Sequence, residues 1–320
     1  MRALVASSAY EVASDLDSAD IAIVITCGFI KPAVEESIEA IFELAEWRDQ
    51  TSGRHLVVAG CLPSRYGVEL ETSLTEVDAF IPVAEEASLL DVLERLTSAP
   101  GQSRTGPVRT DAKPSAYLQI SDGCSRHCSY CTIPSIRGPY RSRALGDIAN
   151  EARQLVESGA KEIVLIGQDT GAYGRDLDPD TALPDVLRTL SDIDDLAWLR
   201  IMYLQPEGVS DRLLDTMATL PKVCRYADMP LQHVVPEMLE AMNRSGSADE
   251  YLALIGRVRE AMPDIALRTS LIAGFPGEKD ADVEALLAFL READFDYVGV
   301  FPFSPEEGTP AAALPHLPPE

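Results

Sequence analysis

The chain has 320 residues, 46% of them hydrophobic and 25% charged, a composition that excludes a largely disordered protein. Its formal net charge of -25 argues against a general electrostatic affinity for nucleic acid. The sequence contains neither an apolar run of membrane-spanning length nor the basic start and apolar core of a signal peptide. We therefore expect a cytoplasmic protein with reduced cysteines and no membrane partner.

The first part of the chain has the pattern of a small doubly wound α/β domain. Apolar, β-branched runs predict three parallel strands, at residues 21–26, 55–60 and 77–83. Helical spacing of apolar residues follows the first strand, and a further helix is predicted at 85–96. We assign residues 1–97 to this domain.

Two of these strands are each followed at once by a cysteine, Cys27 and Cys61. Ligands gather at the carboxyl ends of strands in an open parallel sheet, so the two thiols are candidates for one shared site. The alternative is that both are buried thiols that pack as small hydrophobic residues. Spacing alone leaves both readings open.

Residues 98–115 are rich in Pro, Gly and Ser and lack periodicity, which predicts a linker between domains. From residue 116 to 320 strands and helices alternate regularly. The strands are predicted at residues 117–121, 162–167, 198–204, 226–231, 266–275 and 297–303. Six βα units predict an incomplete parallel barrel, a fold that places its active site at the carboxyl ends of the strands.

A polar loop after the first of these strands carries Cys124, Cys128 and Cys131 in the spacing Cys-x3-Cys-x2-Cys. Thiolates bunched in this way in a reducing compartment bind a metal or an iron–sulfur cluster more often than they form disulfides. A structural zinc site normally has four protein ligands, and no fourth ligand stands at the usual spacing. Three thiolates on a four-iron cluster would leave one iron open to an outside ligand.

Several residues near predicted strand ends are candidates for cofactor contact: Tyr130, Gln168, Asp169, His233, Ile272 and Gly274. Tyr130 and Ile272 are suited to pack against a purine ring, and Gly274 allows close approach of the backbone. The alternatives are core packing for Tyr130, an ordinary turn at Gln168 and Asp169, and a structural role for His233. Cys224 is read as a buried structural thiol, and no residue is assigned a catalytic role.

Six segments together resemble the methylthiotransferases of the radical S-adenosylmethionine (SAM) superfamily, and most closely the branch that modifies a ribosomal protein. These segments are ITCGFIKPAVEESI, VVAGCLPSRY, ISDGCSRHCSYCTIPSIRGPYRSR, IGQDTGAYG, PLQHVVPEMLEAMNR and IAGFPGE. The resemblance implies a cytoplasmic enzyme with two 4Fe–4S clusters and SAM, reduced by a flavodoxin or ferredoxin. It implies a methylthio group added to the β-carbon of an aspartate of small-subunit ribosomal protein S-twelve.

By position, Cys124, Cys128 and Cys131 resemble the ligands of the SAM-binding cluster, and Cys27 and Cys61 resemble two of the three ligands of the auxiliary cluster. The third auxiliary ligand and the C-terminal TRAM domain of the family have no counterpart in this sequence. We therefore expect the chain as given to retain SAM cleavage and to lose methylthiolation. A tRNA adenosine methylthiotransferase and a non-catalytic metal-binding scaffold are the alternatives.

Overall fold

The computed structural model describes residues 1–97 and 113–315 and separates them into two compact units. The first unit comprises residues 1–97 together with 132–138, and the second comprises residues 113–131 together with 139–315. Of the predicted linker, residues 98–112 lie outside the described residues, and Ser115 already belongs to a strand. No helix in the described part of the chain is long and apolar enough to cross a membrane.

The first unit is a three-stranded parallel sheet covered by helices. In chain order its elements are α1 (Arg2–Ala6), β1 (Ile21–Thr26), α2 (Lys31–Asp49), β2 (His55–Gly60), α3 (Cys61–Ser73), β3 (Ala79–Pro82), α4 (Leu89–Thr97) and α5 (Ile133–Arg137). The strand order is β1-β2-β3, with both pairs parallel. The first two strands have their predicted bounds. The helix predicted at 85–96 is wrong in its first turn, because a 3₁₀ helix covers Val83–Ser88.

Alternate residues of β2 pack on opposite faces of this sheet. Leu56 and Val58 lie in a core with residues of α2 and α3, whereas Val57 and Ala59 lie in a second core with residues of α4. A strand buried on both faces explains the continuous apolar sequence that identified it.

The second unit is a partial barrel of six parallel strands. In chain order its elements are β4 (Ser115–Gln119), β5 (Ser121–Asp122), β6 (Arg141–Ser142), α6 (Leu145–Glu157), β7 (Glu162–Ile166), α7 (Leu183–Ser191), β8 (Trp198–Ile201), α8 (Asp211–Thr219), β9 (Tyr226–Asp228), α9 (Pro236–Ala241), α10 (Ala248–Ala261), β10 (Ala266–Ala273), α11 (Asp280–Ala293) and β11 (Tyr297–Pro302). Two three-stranded sheets, β4-β7-β8 and β9-β10-β11, are joined by a parallel bridge between Leu199 and Val223. This arrangement confirms the predicted α/β fold class.

The barrel strands alternate between an apolar outer face and a polar inner face. Leu199, Ile201 and Leu267 lie in the large core that packs against the helices. Their neighbours Arg200 and Arg268 line a cavity of about 940 Å³ instead, where Nε of Arg200 lies 2.7 Å from Oε1 of Glu162. The predicted strands at 198–204 and 226–231 are shorter in the structure, ending at Ile201 and Asp228. The first of them cannot continue as extended backbone through Tyr203, whose φ is +57°.

Candidate functional site

The cysteine loop, residues 123–140, leaves the barrel at the carboxyl end of β4 and is closed at its base by the antiparallel pair β5–β6. Cys124 is buried, whereas Cys128 and Cys131 are half-buried, and none of the described cysteines forms a disulfide. The backbone N–H of Cys131 donates to the carbonyl oxygen of Cys128 at 3.1 Å. The loop thus presents three thiols at the end of a barrel where enzymes of this architecture place their chemistry.

Two sulfur atoms accept hydrogen bonds from arginines. The backbone N–H of Arg126 donates to Sγ of Cys124 at 3.4 Å, and Nη1 of Arg244 lies 3.9 Å from Sγ of Cys128. Burial raises the pKa of the Cys124 thiol, and the hydrogen bond from Arg126 opposes that rise. Such N–H···S contacts are among the features that tune thiolate-bound iron–sulfur clusters.

Within residues 1–97 and 113–315, no group of three or more His, Cys, Asp or Glu side chains is arranged so that it could hold a metal ion. The thiolates of a four-iron cluster bind different iron atoms, so they do not need to converge on one point as zinc ligands do. The donor chemistry of the loop, three thiols with nearby N–H donors, fits such a cluster.

The loop after β7 meets the cysteine loop through an ion-pair network. Nε of Arg126 lies 2.8 Å from Oδ2 of Asp169, and its Nη2 lies 3.2 Å from Oε2 of Glu207. Oδ1 of the nearly buried Asp169 and Oε1 of Gln168 are buried without a hydrogen-bond partner among the described residues. Buried polar atoms without partners are rare, so these two oxygens are candidate ligand contacts.

Other residues of the same loop have structural roles. The hydroxyl group of the buried Tyr173 donates to the carbonyl oxygen of Arg143 at 2.8 Å. Gly174 has φ +90°, and a Cβ there would lie 1.9 Å from the carbonyl oxygen of Thr181. The loop predicted to bind cofactor or substrate therefore has two parts. Its C-terminal part stabilises the fold, whereas a ligand contact from Gln168 and Asp169 stays a prediction.

His233 is fully buried and has two protein partners. Its Nδ1 accepts from the backbone N–H of Val235 at 3.0 Å, and its Nε2 lies 3.1 Å from Oε1 of Glu278. Glu278 also accepts, through Oε2, from the backbone N–H of Gly274 at 2.6 Å. Burial lowers the pKa of His233, and Glu278 opposes this, so a neutral ring donates from Nε2. This arrangement supports the structural reading, and a cofactor contact from His233 stays a prediction.

Tyr130 and Ile272 border one small apolar cluster, whose buried members are Met238, Met242, Phe275 and Ala311. Burial raises the pKa of Tyr130 well above its ordinary value, so the phenol stays neutral. Gly274 has φ +74°, and the space where a Cβ would stand is open. The three residues thus bring an aromatic ring, an aliphatic side chain and accessible backbone to one region of the barrel.

Two residues near the thiols were missed in the sequence. Arg244 is the last residue of PLQHVVPEMLEAMNR, one of the segments that carry the family resemblance, but the sequence analysis assigned it no role. Tyr203 has φ +57°, a rare conformation for a bulky residue, and its backbone N–H donates to Oδ2 of Asp228 at 3.2 Å. Strain of this kind clusters at functional sites, but the residue type gives no signal of it in the sequence.

The first unit brings its two cysteines to neighbouring strand ends. Thr26 pairs with Gly60 in the parallel register, so Cys27 and Cys61 follow paired residues. A Cβ at Gly28 would lie 3.0 Å from the backbone carbonyl carbon of Cys61, so glycine permits this close approach. Cys27 is exposed and Cys61 half-buried. The reading as two buried thiols is therefore wrong for Cys27.

Cys224 differs from the prediction because its thiol is half-buried rather than buried. It lines the cavity inside the barrel, close to Arg200. Burial of part of the side chain raises the pKa of the thiol.

Comparison with known proteins bears on both units. A model of the Radical SAM superfamily matches residues 118–290, more than half of the chain, and a model described as uncharacterized protein family UPF0004 matches residues 1–82. A solved radical SAM methyltransferase, TsrM from Kitasatospora setae with cobalamin and a [4Fe-4S] cluster bound, superposes with TM-score 0.66 at 16% identity. That superposition covers 91% of this chain and 64% of TsrM and therefore supports the fold alone.

The ribosomal protein uS12 methylthiotransferase RimO of Syntrophus aciditrophicus is 45% identical over 330 residues, covering 98% of this chain and 73% of that protein. RimO of Geobacter sulfurreducens is 46% identical, covering 97% of this chain and 72% of that protein.

The partial barrel, its three-cysteine loop and the superfamily match define the class of protein, a radical SAM enzyme. Membership in this class implies a 4Fe–4S cluster and SAM. Proteins that share only a fold are usually much less similar than the RimO relatives, which are more than 40% identical to nearly the whole chain. The chain therefore belongs to the RimO family of methylthiotransferases.

Proposed function

We propose that this protein adds a methylthio group to the β-carbon of an aspartate of ribosomal protein uS12. The observation that carries the proposal is the three-cysteine loop at the end of the first barrel strand, in a chain 45% identical to a RimO. The net charge of -25 favours a protein target over tRNA, because binding tRNA needs a strongly basic surface.

In this proposal Cys124, Cys128 and Cys131 hold a 4Fe–4S cluster with one iron open to SAM. When bound, the cluster and SAM supply the one-electron chemistry that an unactivated C–H bond requires. The contribution of the chain is to hold and shield these groups. The partnerless oxygens of Gln168 and Asp169 are suited to accept from the amino group of SAM.

The apolar surface of Tyr130 and Ile272 supports an assignment to the adenine ring. The open backbone at Gly274 would admit the same ring closely. His233 would act through Glu278, which fixes the turn that carries Gly274. In this proposal these residues would hold the organic part of SAM against the barrel and away from bulk water.

We further propose that Cys27 and Cys61 are ligands of a second, auxiliary 4Fe–4S cluster that delivers the sulfur. They follow paired residues at neighbouring strand ends, and Gly28 allows the backbone after Cys27 to approach Cys61 closely. Both observations support this role.

The proposed enzyme also needs an electron donor and a reducing compartment. An electron donor such as a flavodoxin or ferredoxin is required, because the cluster must be reduced before each SAM cleavage. The cytoplasm is the proposed location, since six reduced cysteines and a reducible cluster would be lost in an oxidising compartment.

The test is anaerobic reconstitution with iron and sulfide, followed by incubation with SAM, a strong one-electron reductant and purified uS12. We expect 5'-deoxyadenosine by chromatography, and a uS12 peptide heavier by one methylthio group in mass spectrometry would show that the chain as given also transfers sulfur. Deoxyadenosine with unmodified uS12 would refute sulfur transfer by the chain as given and would match the expectation of SAM cleavage alone. Zinc without acid-labile sulfide, or modified tRNA in a parallel reaction, would refute the proposal in favour of the metal-binding scaffold or the tRNA enzyme.

A further inference from the structure

The side chain of Arg244 donates a hydrogen bond to a cysteine sulfur of the cysteine loop. Its Nη2 donates to Oε1 of Gln205 at 2.9 Å and to the carbonyl oxygen of Pro230 at 3.1 Å, and its Nη1 lies 3.9 Å from Sγ of Cys128. The guanidinium is therefore held at two neutral acceptors, with one end directed at a thiol of the cysteine loop.

The segment that carries Arg244 is fastened to the cysteine loop by separate hydrogen bonds. The backbone N–H of Ser129 donates to the carbonyl oxygen of Met242 at 3.0 Å. The hydroxyl group of Ser129 donates to the carbonyl oxygen of Ala241 at 2.7 Å. Nδ2 of Asn243 donates to the carbonyl oxygen of His127 at 2.6 Å. These three bonds fix the distance between Arg244 and Cys128 independently of the guanidinium contacts.

The charge of Arg244 is compensated less directly than that of Arg126. Arg126 has ion pairs with Asp169 and Glu207. No carboxylate among the described residues lies within ion-pair distance of Arg244, although the charge of Glu207 contributes to the raised pKa of Arg244. Nε of Arg244 is buried without a hydrogen-bond partner among the described residues. A negative group at the cysteine loop would therefore add a favourable interaction with this cation.

We propose that Arg244 is a positioning residue that raises the reduction potential of the cluster held by Cys128. The inference rests on the proposed function, because it requires a cluster at the cysteine loop. Reduction adds one electron from the external donor and so one negative charge to the cluster, which a fixed cation nearby favours. Hydrogen bonds to thiolate sulfur act in the same direction.

The test is an EPR redox titration of the reconstituted protein without SAM, with iron and sulfide counted on every sample. Arg244→Gln removes the charge, Arg244→Lys keeps it, and Arg259→Gln is the matched control. Arg259 donates to the carbonyl oxygens of Ala293 and Asp294, away from the cysteine loop. We expect a more negative midpoint potential for Arg244→Gln, little change for Arg244→Lys and none for Arg259→Gln.

A fully loaded Arg244→Gln cluster at the native potential would overturn the proposal, as would equal loss of the cluster in the Gln and Lys variants. Loss of the cluster in Arg244→Gln but not in Arg244→Lys would support the proposal, because the cluster would then require the positive charge at this position. If Arg244→Gln does not fold, Gln205→Leu loosens the guanidinium and is expected to shift the potential in the same direction by less, whereas an unchanged potential refutes the proposal. Absence of a cluster from the native chain would refute the proposed function instead.

Discussion

The two cysteine-bearing regions differ in what surrounds their sulfur atoms. At the cysteine loop, charged side chains from elsewhere in the barrel take part: Arg244 donates to Sγ of Cys128, and Asp169 pairs with Arg126 of the loop. At the strand ends of the first unit, Cys27 and Cys61 are positioned by backbone register and small residues. The first arrangement is suited to control charge and potential, whereas the second fixes position and leaves Cys27 accessible.

The sharpest test of this difference is Cys128→Ser. We expect loss of the SAM-binding cluster and a fall of 5'-deoxyadenosine formation to the background of the assay, because a hydroxyl group is a poor ligand for iron. Cys224→Ser, in the barrel cavity, is the matched control and should retain both. Equal activity of the Cys128 variant and the native chain would remove the cysteine loop from the mechanism.

Cys27→Ala should separate the two regions. We expect SAM cleavage to persist within about twofold, since the contacts around the cysteine loop remain, while any second cluster is lost. Iron counting and EPR report the cluster, and chromatography reports cleavage. Loss of cleavage together with the auxiliary iron would show that the two regions do not act separately.

Asp169→Asn tests the charged network of the cysteine loop. The variant removes one charge-assisted hydrogen bond to Arg126, and we expect the free energy of unfolding to fall by about 1–3 kcal/mol. Urea denaturation measures this change. Asp195→Asn, at an exposed ion pair, should have a much smaller effect and serves as the control.

His233 should make stability depend on pH. Its pKa is lowered in the folded state by burial, so the unfolded chain binds the proton more readily. Stability is therefore complete above the ordinary pKa of 6.5 and declines as the pH falls from there toward the lowered folded value. Denaturation of His233→Gln at several pH values should show a flatter profile in this range than that of the native chain, and an equally steep profile would remove His233 from the pH dependence.

Ser37→Ala carries the smallest expected effect. The Ser37 hydroxyl group accepts from the backbone N–H of Cys27 at 3.2 Å and donates to the carbonyl oxygen of Ala33 at 2.7 Å. Its loss should lower the free energy of unfolding by roughly 1 kcal/mol. The exposed Ser14→Ala is the control, and equal effects of the two changes would remove Ser37 from the support of Cys27.

Continuous apolar runs in the sequence were sufficient to predict the first two strands of the first unit. The strands at 21–26 and 55–60 have their predicted bounds because continuous apolar runs end where the chain turns. The barrel strands at 198–204 and 226–231 were predicted too long. The first ends before Tyr203, whose φ of +57° accompanies a hydrogen bond to Asp228, a partner far away in sequence.

The same distinction applies to the site. The cysteine spacing identified the central loop, because three ligands within eight residues form a local signal. The role of Arg244 depends on bonds to Gln205 and Pro230, which only the folded barrel brings together. His233 looked like a possible ligand contact at a strand end, and its pairing with Glu278 became visible only in the structure.

We propose above that the cysteine loop binds a cluster with one iron open to SAM, and EPR of the reconstituted, reduced chain with and without SAM tests this binding. We expect the signal of a reduced 4Fe–4S cluster that changes shape on addition of SAM and is missing from Cys128→Ser. A signal that SAM leaves unchanged, or one that persists in Cys128→Ser, would show that the loop does not hold such a cluster.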